Sequence, residues 1–151
     1  MERLVLLVAV LPLISALFIQ LFAGRIGRGI ARASVAITTL SFLLSCLLLA
    51  YELTGSNIQM LPLGSSTAIL LLDPLSILLA TIILGISLIV HLYSVRYMAE
   101  EEAYGQFFVL LDLMTAALIF MVLAGDLITL VISWYLVGVI LYFLLGQDTR
   151  S

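Results

Sequence analysis

Lysine is absent from this chain, and six arginines supply all of its fixed positive charge. Charged residues occupy only 10% of the 151 positions, the formal net charge is −3 and the isoelectric point is about 4.8. No basic face is available to neutralise phosphates, which excludes nucleic acid as a partner. Cysteine occurs once, at Cys46 inside an apolar run. A disulfide framework within the chain is therefore excluded. With no positive charge close by, Cys46 reads as a small helix-packing residue rather than a reactive thiol. The sequence has no Cys cluster for iron–sulfur ligation, no carboxylate–histidine metal set and no Gly-rich nucleotide loop after a strand. No cofactor, no metal and no catalytic residue are expected of it.

Apolar residues are abundant, at 64% of the chain with a mean hydropathy of +1.32. Soluble domains are nearer half apolar and a quarter charged. This composition predicts an all-α integral membrane protein, because lipid offers no partner for free backbone amides. Five spans stand out: Leu4–Phe22, Ala33–Tyr51, Pro74–Met98, Tyr104–Ala124 and Leu127–Leu145. The breaks between them are legible. Arg25, Arg28 and Arg32 interleave with Gly24, Gly27 and Gly29, and Glu100, Glu101 and Glu102 form an acidic run. Ala124-Gly125-Asp126 makes a tight turn. The polar stretch Glu52 to Thr67, followed by apolar Ala68 to Leu72, predicts a short β-like excursion on the outer surface.

Cytoplasmic loops collect Arg and Lys. Arg25, Arg28, Arg32, Arg96 and Arg150 all fall on one side of a five-span chain, and only Arg3 falls on the other. This predicts an N-terminus outside and a C-terminus in the cytoplasm. The rival for the first span is a cleavable signal peptide ending near Phe22-Ala23-Gly24. It would require the arginine cluster to cross the membrane. The organisation expected is two helices over 1–51, an outer loop over 52–72, a three-helix region over 73–146 and a cytoplasmic tail over 147–151.

Ionisable groups within spans are costly and are functional suspects. His91 and Asp112 are the two that lie clearly inside. His91 is ten residues before Glu101 and Asp112 eleven after it. In antiparallel helices they fall at similar depth, ~15 Å from the turn, and are expected to meet or share a water. One reading is a proton relay or gate. The other is a mutually satisfied polar pair that fixes helix register. Asp73 before Pro74 is a helix cap, as is Asp126 after Gly125. Tyr93, Arg96 and Tyr97 are interface anchors. Ser and Thr at 38, 39, 41 and 45 are expected to bond to the preceding turn or pack helices closely.

Asp73-Pro74-Leu75-Ser76, His91-Leu92-Tyr93-Ser94, Tyr97-Met98 and Tyr104-Gly105-Gln106-Phe107-Phe108 follow one another in order, as do Val122-Leu123-Ala124-Gly125-Asp126-Leu127, Ser133-Trp134 and Val137-Gly138. This pattern closely resembles the N-terminal region of the large antiporter-like membrane subunits. That family includes chain 5 of the complex I NADH–quinone oxidoreductases, the large subunit of Mrp-type sodium/proton antiporters, and related subunits of membrane hydrogenases and bicarbonate-uptake complexes. The resemblance covers Leu72 to Gly146, while the first two spans match only in length and hydrophobicity. It implies an intramembrane glutamate after the tryptophan, paired with a lysine on a later helix. Here that position is Tyr135, whose phenol does not exchange protons near neutral pH as a tuned carboxylate does.

The resemblance thus implies a fragment or split half of a proton- or ion-translocating subunit in a complex I-like membrane assembly, contributing scaffold rather than a full ion path. Its implied partners are the lipid bilayer, other membrane subunits and a chain supplying the missing helices, and its implied location is a prokaryotic cytoplasmic membrane. Membership of an NADH–quinone oxidoreductase-type enzyme complex is one setting. The alternatives are a non-conducting scaffold or assembly subunit, an energising partner in a bicarbonate-uptake complex, and a truncated product without an independent role.

Overall fold

The computed structural model describes residues 2–26, 29–55, 59–62, 69–97 and 104–148. Among the described residues there are five helices: α1 (Glu2–Ile26), α2 (Gly29–Glu52), α3 (Pro74–Tyr97), α4 (Tyr104–Leu123) and α5 (Leu127–Asp148). Four of them, α2 to α5, are long and apolar enough to cross a bilayer. In α1 the corresponding apolar stretch is the shorter Leu6–Phe22. α1 nonetheless packs lengthwise against both α2 and α4, so it occupies the same slab. The chain is an all-α integral membrane protein.

Helices α1 to α4 form an antiparallel ring in the order α1-α2-α3-α4, closed by α1 against α4. α5 lies outside this ring and rests mainly on α4. The two ends of the bundle differ in chemistry. One carries the exposed Arg25, Arg32 and Arg96. The other carries a two-stranded antiparallel hairpin, β1 (Gln59–Pro62) paired with β2 (Ile69–Leu72), with Gln59 opposite Leu72 and Pro62 opposite Ile69. β2 touches the ends of α3 and α4 there. The expected β-like excursion thus corresponds to a hairpin. The parts of it at 56–58 and 63–68 lie outside the described residues, as do Arg28, the glutamates 100–102 and the tail 149–151.

Several helix boundaries lie beyond the sequence expectation. Arg25 lies in the last turn of α1, and α2 begins at Gly29, so Arg32 is helical too. Charge does not stop a helix here, because an arginine can reach water along its own aliphatic stem while its backbone stays hydrogen-bonded. At the other end of α2, Glu52 belongs to the helix rather than to a loop. The helix ends just beyond, where Gly55 adopts a φ of +121° that only glycine tolerates comfortably. α5 likewise runs through Gln147 and Asp148.

Apolar packing is split into two clusters. Val8, Ala9, Leu48, Ile77, Leu84, Ile119 and Leu123 fill the hairpin half. Ile19, Ile30, Ala31 and Phe108 fill the arginine end. Gly85 brings α3 close to α2, and a Cβ there would lie 3.2 Å from Cε2 of Phe42. Gly85→Ala gains about 1 kcal/mol of helix propensity and loses about 1 kcal/mol to overpacking against a ring that can shift. The expected stability change in detergent unfolding is within about 1 kcal/mol. Gly85→Leu is expected to separate α2 from α3 and lower the yield of folded protein.

Candidate functional site

Between the two apolar clusters lies a layer of buried polar side chains contributed by all four helices of the ring. Its centre is the pair that the sequence singled out. His91 on α3 is 0% exposed and Asp112 on α4 is 1% exposed, with Nε2 of His91 2.9 Å from Oδ1 of Asp112. The second carboxylate oxygen accepts hydrogen bonds from Ser15 of α1 at 2.6 Å and Ser34 of α2 at 3.0 Å. One aspartate therefore ties together α1, α2 and α3 from its seat on α4.

The proton inventory of the pair follows from its partners. Nδ1 of His91 lies 2.7 Å from the carbonyl oxygen of Ser87, one turn earlier on α3. A carbonyl only accepts, so Nδ1 carries a hydrogen. Nε2 and Oδ1, 2.9 Å apart, then share one further proton between them. The pair is an imidazolium facing a carboxylate, or a neutral imidazole facing a carboxylic acid, and it is electrically neutral in both forms. Movement of that proton changes no net charge in the apolar interior. This avoids the large cost of an isolated buried ion.

Hydroxyls extend the layer. Thr38 donates to the carbonyl of Ser34 at 2.9 Å, so towards Nε2 of His91, at 3.5 Å, it can only accept. Thr115 donates to the carbonyl of Leu111 at 2.9 Å and accepts from Ser87 at 2.7 Å. Ser87 Oγ in turn lies 3.3 Å from Nδ1 of His91. Nearer the hairpin end, Thr81 donates to the carbonyl of Ile77 at 2.8 Å and accepts from Ser45 at 2.6 Å. Towards the arginine end the layer narrows to Ser94 of α3, which is buried beside apolar side chains. Phe108 stands with its ring centroid 5.8 Å from that of His91 and is packed with Ile19, Ile30 and Ala31.

The other sequence candidates lie away from this layer. Asp73 caps α3, its Oδ1 accepting the amide of Ser76 at 3.2 Å and its carbonyl accepting that of Ile77 at 3.1 Å. Asp126 precedes α5, and its carbonyl accepts the amide of Leu130 at 3.2 Å. Tyr93 and Tyr97 are exposed and stacked, 5.4 Å between centroids, with Arg96 beside them at the arginine end. Tyr135 is 72% exposed on the outer face of α5. There it joins Val131, Trp134, Gly138, Val139, Tyr142 and Phe143 around an open groove of about 620 Å³. The structure does not bring Tyr135 to the His91–Asp112 pair. Of the hydroxyls noted in the sequence, Thr38, Thr39 and Ser41 bond back to the preceding turn, whereas Ser45 crosses to α3.

Sequence reasoning missed Ser15, Ser34, Ser87 and Thr115, and it left Glu52 in a loop. Ser87 had a signal, standing four residues before His91 on the same helix face. Ser34 had another, since 34, 38, 41 and 45 repeat at steps that keep one face of α2.

The comparisons with known proteins agree with the pattern of motifs. Residues 62–108 match the family described as NADH-ubiquinone oxidoreductase (complex I), chain 5 N-terminus. This match takes in Asp73, His91, Tyr93, Arg96 and Tyr97. The chain belongs to the antiporter-like large subunit family. It is 51% identical over 146 residues to a probable inorganic carbon transporter subunit, DabB1, of Halothiobacillus neapolitanus, covering 96% of this chain and 26% of that protein. It is 30% identical over 155 residues to NADH-quinone oxidoreductase subunit L of Neisseria meningitidis, covering 93% and 23%. With subunit L of Escherichia coli it shares 35% over 77 residues, covering 51% and 13%. The chain therefore spans about a quarter or less of the length of these curated relatives. The longer alignments extend beyond the motif-bearing region and cover more than nine-tenths of the chain.

Proposed function

We propose that this chain is the N-terminal helical bundle of an antiporter-like subunit in a multi-subunit membrane complex of a prokaryotic cytoplasmic membrane, with the arginine end inside. Within that bundle His91 and Asp112 act as a proton relay. The observation that carries this reading is the 2.9 Å contact between two ionisable side chains that are both almost fully buried. The chain's own part is a relay and a scaffold rather than a complete ion path. The uncovered face of α5, where Tyr135 stands in place of the family's glutamate, supports further helices completing the path, in the same polypeptide or another.

The host complex we favour is one for inorganic carbon uptake. The support is the 51% identity to a carbon transporter subunit against 30% to an oxidoreductase subunit over nearly the same residues. In that setting the subunit would supply proton-motive energy to a partner that handles bicarbonate. Deletion of this chain is expected to abolish uncoupler-sensitive bicarbonate accumulation in the cells that make it, measured with labelled bicarbonate. Normal accumulation together with a loss of NADH–quinone oxidoreductase activity would assign the chain to the other branch.

A further inference from the structure

One face of α2 is buried along the helix and is mostly polar: Ser34, Thr38, Ser41, Ser45, Leu48 and Glu52. These positions advance in alternating steps of four and three, so they form one line in a helix otherwise rich in leucine and alanine. The line starts at the relay, where Ser34 donates to Asp112 and Thr38 lies beside His91. It passes Ser41, meets Thr81 of α3 through Ser45, and ends at Glu52. From Ser34 to Glu52 it covers ~27 Å at 1.5 Å per residue.

Glu52 is the unexpected member. It is the last residue of α2, next to the surface, yet it is 5% exposed and its Oε2 has no hydrogen-bond partner among the described residues. A buried carboxyl oxygen without a partner is costly, and a short reorientation at the helix end would return it to water. Helical side chains tilt towards the helix N-terminus, which for Glu52 means down into the bundle towards Ser45. The last turn of a helix presents carbonyls rather than amides, so the backbone there has no donor to offer. The antiparallel register that sets Ser45 opposite Thr81 places Glu52 level with Pro74. Among the described residues, the charged ones at this end are Asp73, whose Oδ1 accepts the Ser76 amide, Asp126 ahead of α5, and Glu2 and Arg3 in the first turn of α1.

We propose that Glu52 is a proton-exchange site that serves the His91–Asp112 pair from the hairpin end, through short files of water along the hydroxyl stripe. This rests on the relay reading above. The proton leaves the Glu52 carboxyl, each water accepts one proton and passes one on, and the pair, after giving its own shared proton to the helices that complete the path, takes the new one at Nε2 of His91 or Oδ1 of Asp112. No other reactant is consumed. Thr38, Thr81 and Thr115 give their own hydrogens to backbone carbonyls, so they steady waters as acceptors and are not themselves links. Leu48 lies between Ser45 and Glu52, and Leu84 lies between Thr81 and Ser87. These apolar layers divide the route, so conduction requires transient wetting, as in hydrophobic gates. In the opposite direction the layer narrows to Ser94 beside apolar side chains, and this makes the route one-sided.

The test compares E52Q, E52D and D112N in the intact membrane complex, reading proton flux in sealed vesicles. E52Q is expected to slow flux by about a hundredfold or more, the scale of losing a positioned proton carrier. E52D, which keeps an ionisable group, is expected to restore most of it. Unchanged flux in E52Q with a dead D112N would overturn the role of Glu52 and leave the relay intact. A loss in E52Q that E52D does not rescue would mark a packing role and also overturn it. Unchanged flux in D112N ends the relay reading and this inference together. A second measurement is independent of flux. In a Cys46→Ala background, Ser45→Cys should react with a small water-borne thiol reagent added at the hairpin face and not with one added at the arginine face. Absence of reaction from the hairpin face would overturn the route.

Discussion

Asp112→Asn is expected to leave the bundle folded and to stop the relay. The amide oxygen can accept from Ser15 and Ser34 as Oδ2 does, and the amide nitrogen can donate to Nε2 of a histidine whose Nδ1 keeps its hydrogen on the Ser87 carbonyl. Every hydrogen bond to the carboxylate has a counterpart, only the long 3.5 Å contact from Nε2 to Thr38 losing its hydrogen, and stability should change by about 1 kcal/mol or less. What disappears is the proton that could belong to either partner. Loss of positioned proton transfer typically slows a reaction by about 10²–10⁴-fold, and coupled flux should fall accordingly. Asp112→Ala is the contrasting variant. It leaves Nε2 of His91 and two serine hydroxyls without the acceptor they share. Removing one partner of a buried pair costs about 3–5 kcal/mol in soluble proteins. The lower end of that range is expected here, because membrane hydrogen bonds average about 0.6 kcal/mol each. Detergent unfolding of the purified complex separates the two variants. Equal destabilisation in Asn and Ala would show that the carboxylate is needed for structure. Full flux in the Asn variant would show that no proton passes through the pair.

Tyr135→Glu is expected to behave in opposite ways in the isolated chain and in the complex. In the isolated chain Tyr135 is 72% exposed near the middle of α5, and Trp134 and Tyr142 beside it are similarly exposed. A carboxylate there would face hydrocarbon. Charged residues at the centre of a spanning helix cost about 3 kcal/mol on insertion scales, equivalent to a factor of about a hundred in insertion or docking of α5. If further helices cover this face in the complex, the glutamate meets protein in place of lipid and most of the cost disappears. The measurement is the yield of correctly inserted protein, expressed with and without the rest of the complex. An equal penalty in both settings would mean that the Tyr135 face stays against lipid after assembly. That result would remove the main support for additional helices docking on α5.

The sequence carried the site's centre because two independent regularities converged on it. Spanning helices must be antiparallel when the connection is short, so positions equidistant from a turn share a depth. Charged or titratable residues are too costly in lipid to be placed there at random. Together these select His91 and Asp112 from a long apolar background. The hydroxyl partners were not legible to the same degree. Serine and threonine enter spanning helices for packing and for back-bonding as readily as for cross-helix contacts, and Ser41 and Ser45 look alike in sequence. In the fold the first bonds to Ile37 and the second to Thr81. Glu52 was assigned to a loop because charge near a span end normally means water. Only the direction of its side chain, set by helix geometry, turns it inward. The outward position of Tyr135 was likewise hidden, since it depends on α5 lying outside the ring and resting mainly on α4.

The hydrogen bonds to Asp112 have a consequence for how the protein is made. A ribosome delivers Ser15 first, then Ser34, then His91, and only afterwards the helix that carries the acid. When Asp112 leaves the aqueous channel for lipid, all three of its receptors have already been threaded. The least lipid-soluble side chain of the ring therefore enters a prepared berth. A circular permutant that synthesised α4 before its neighbours would have to hold that carboxyl in hydrocarbon unaccompanied. Such a chain should stall at the insertion step rather than misfold later.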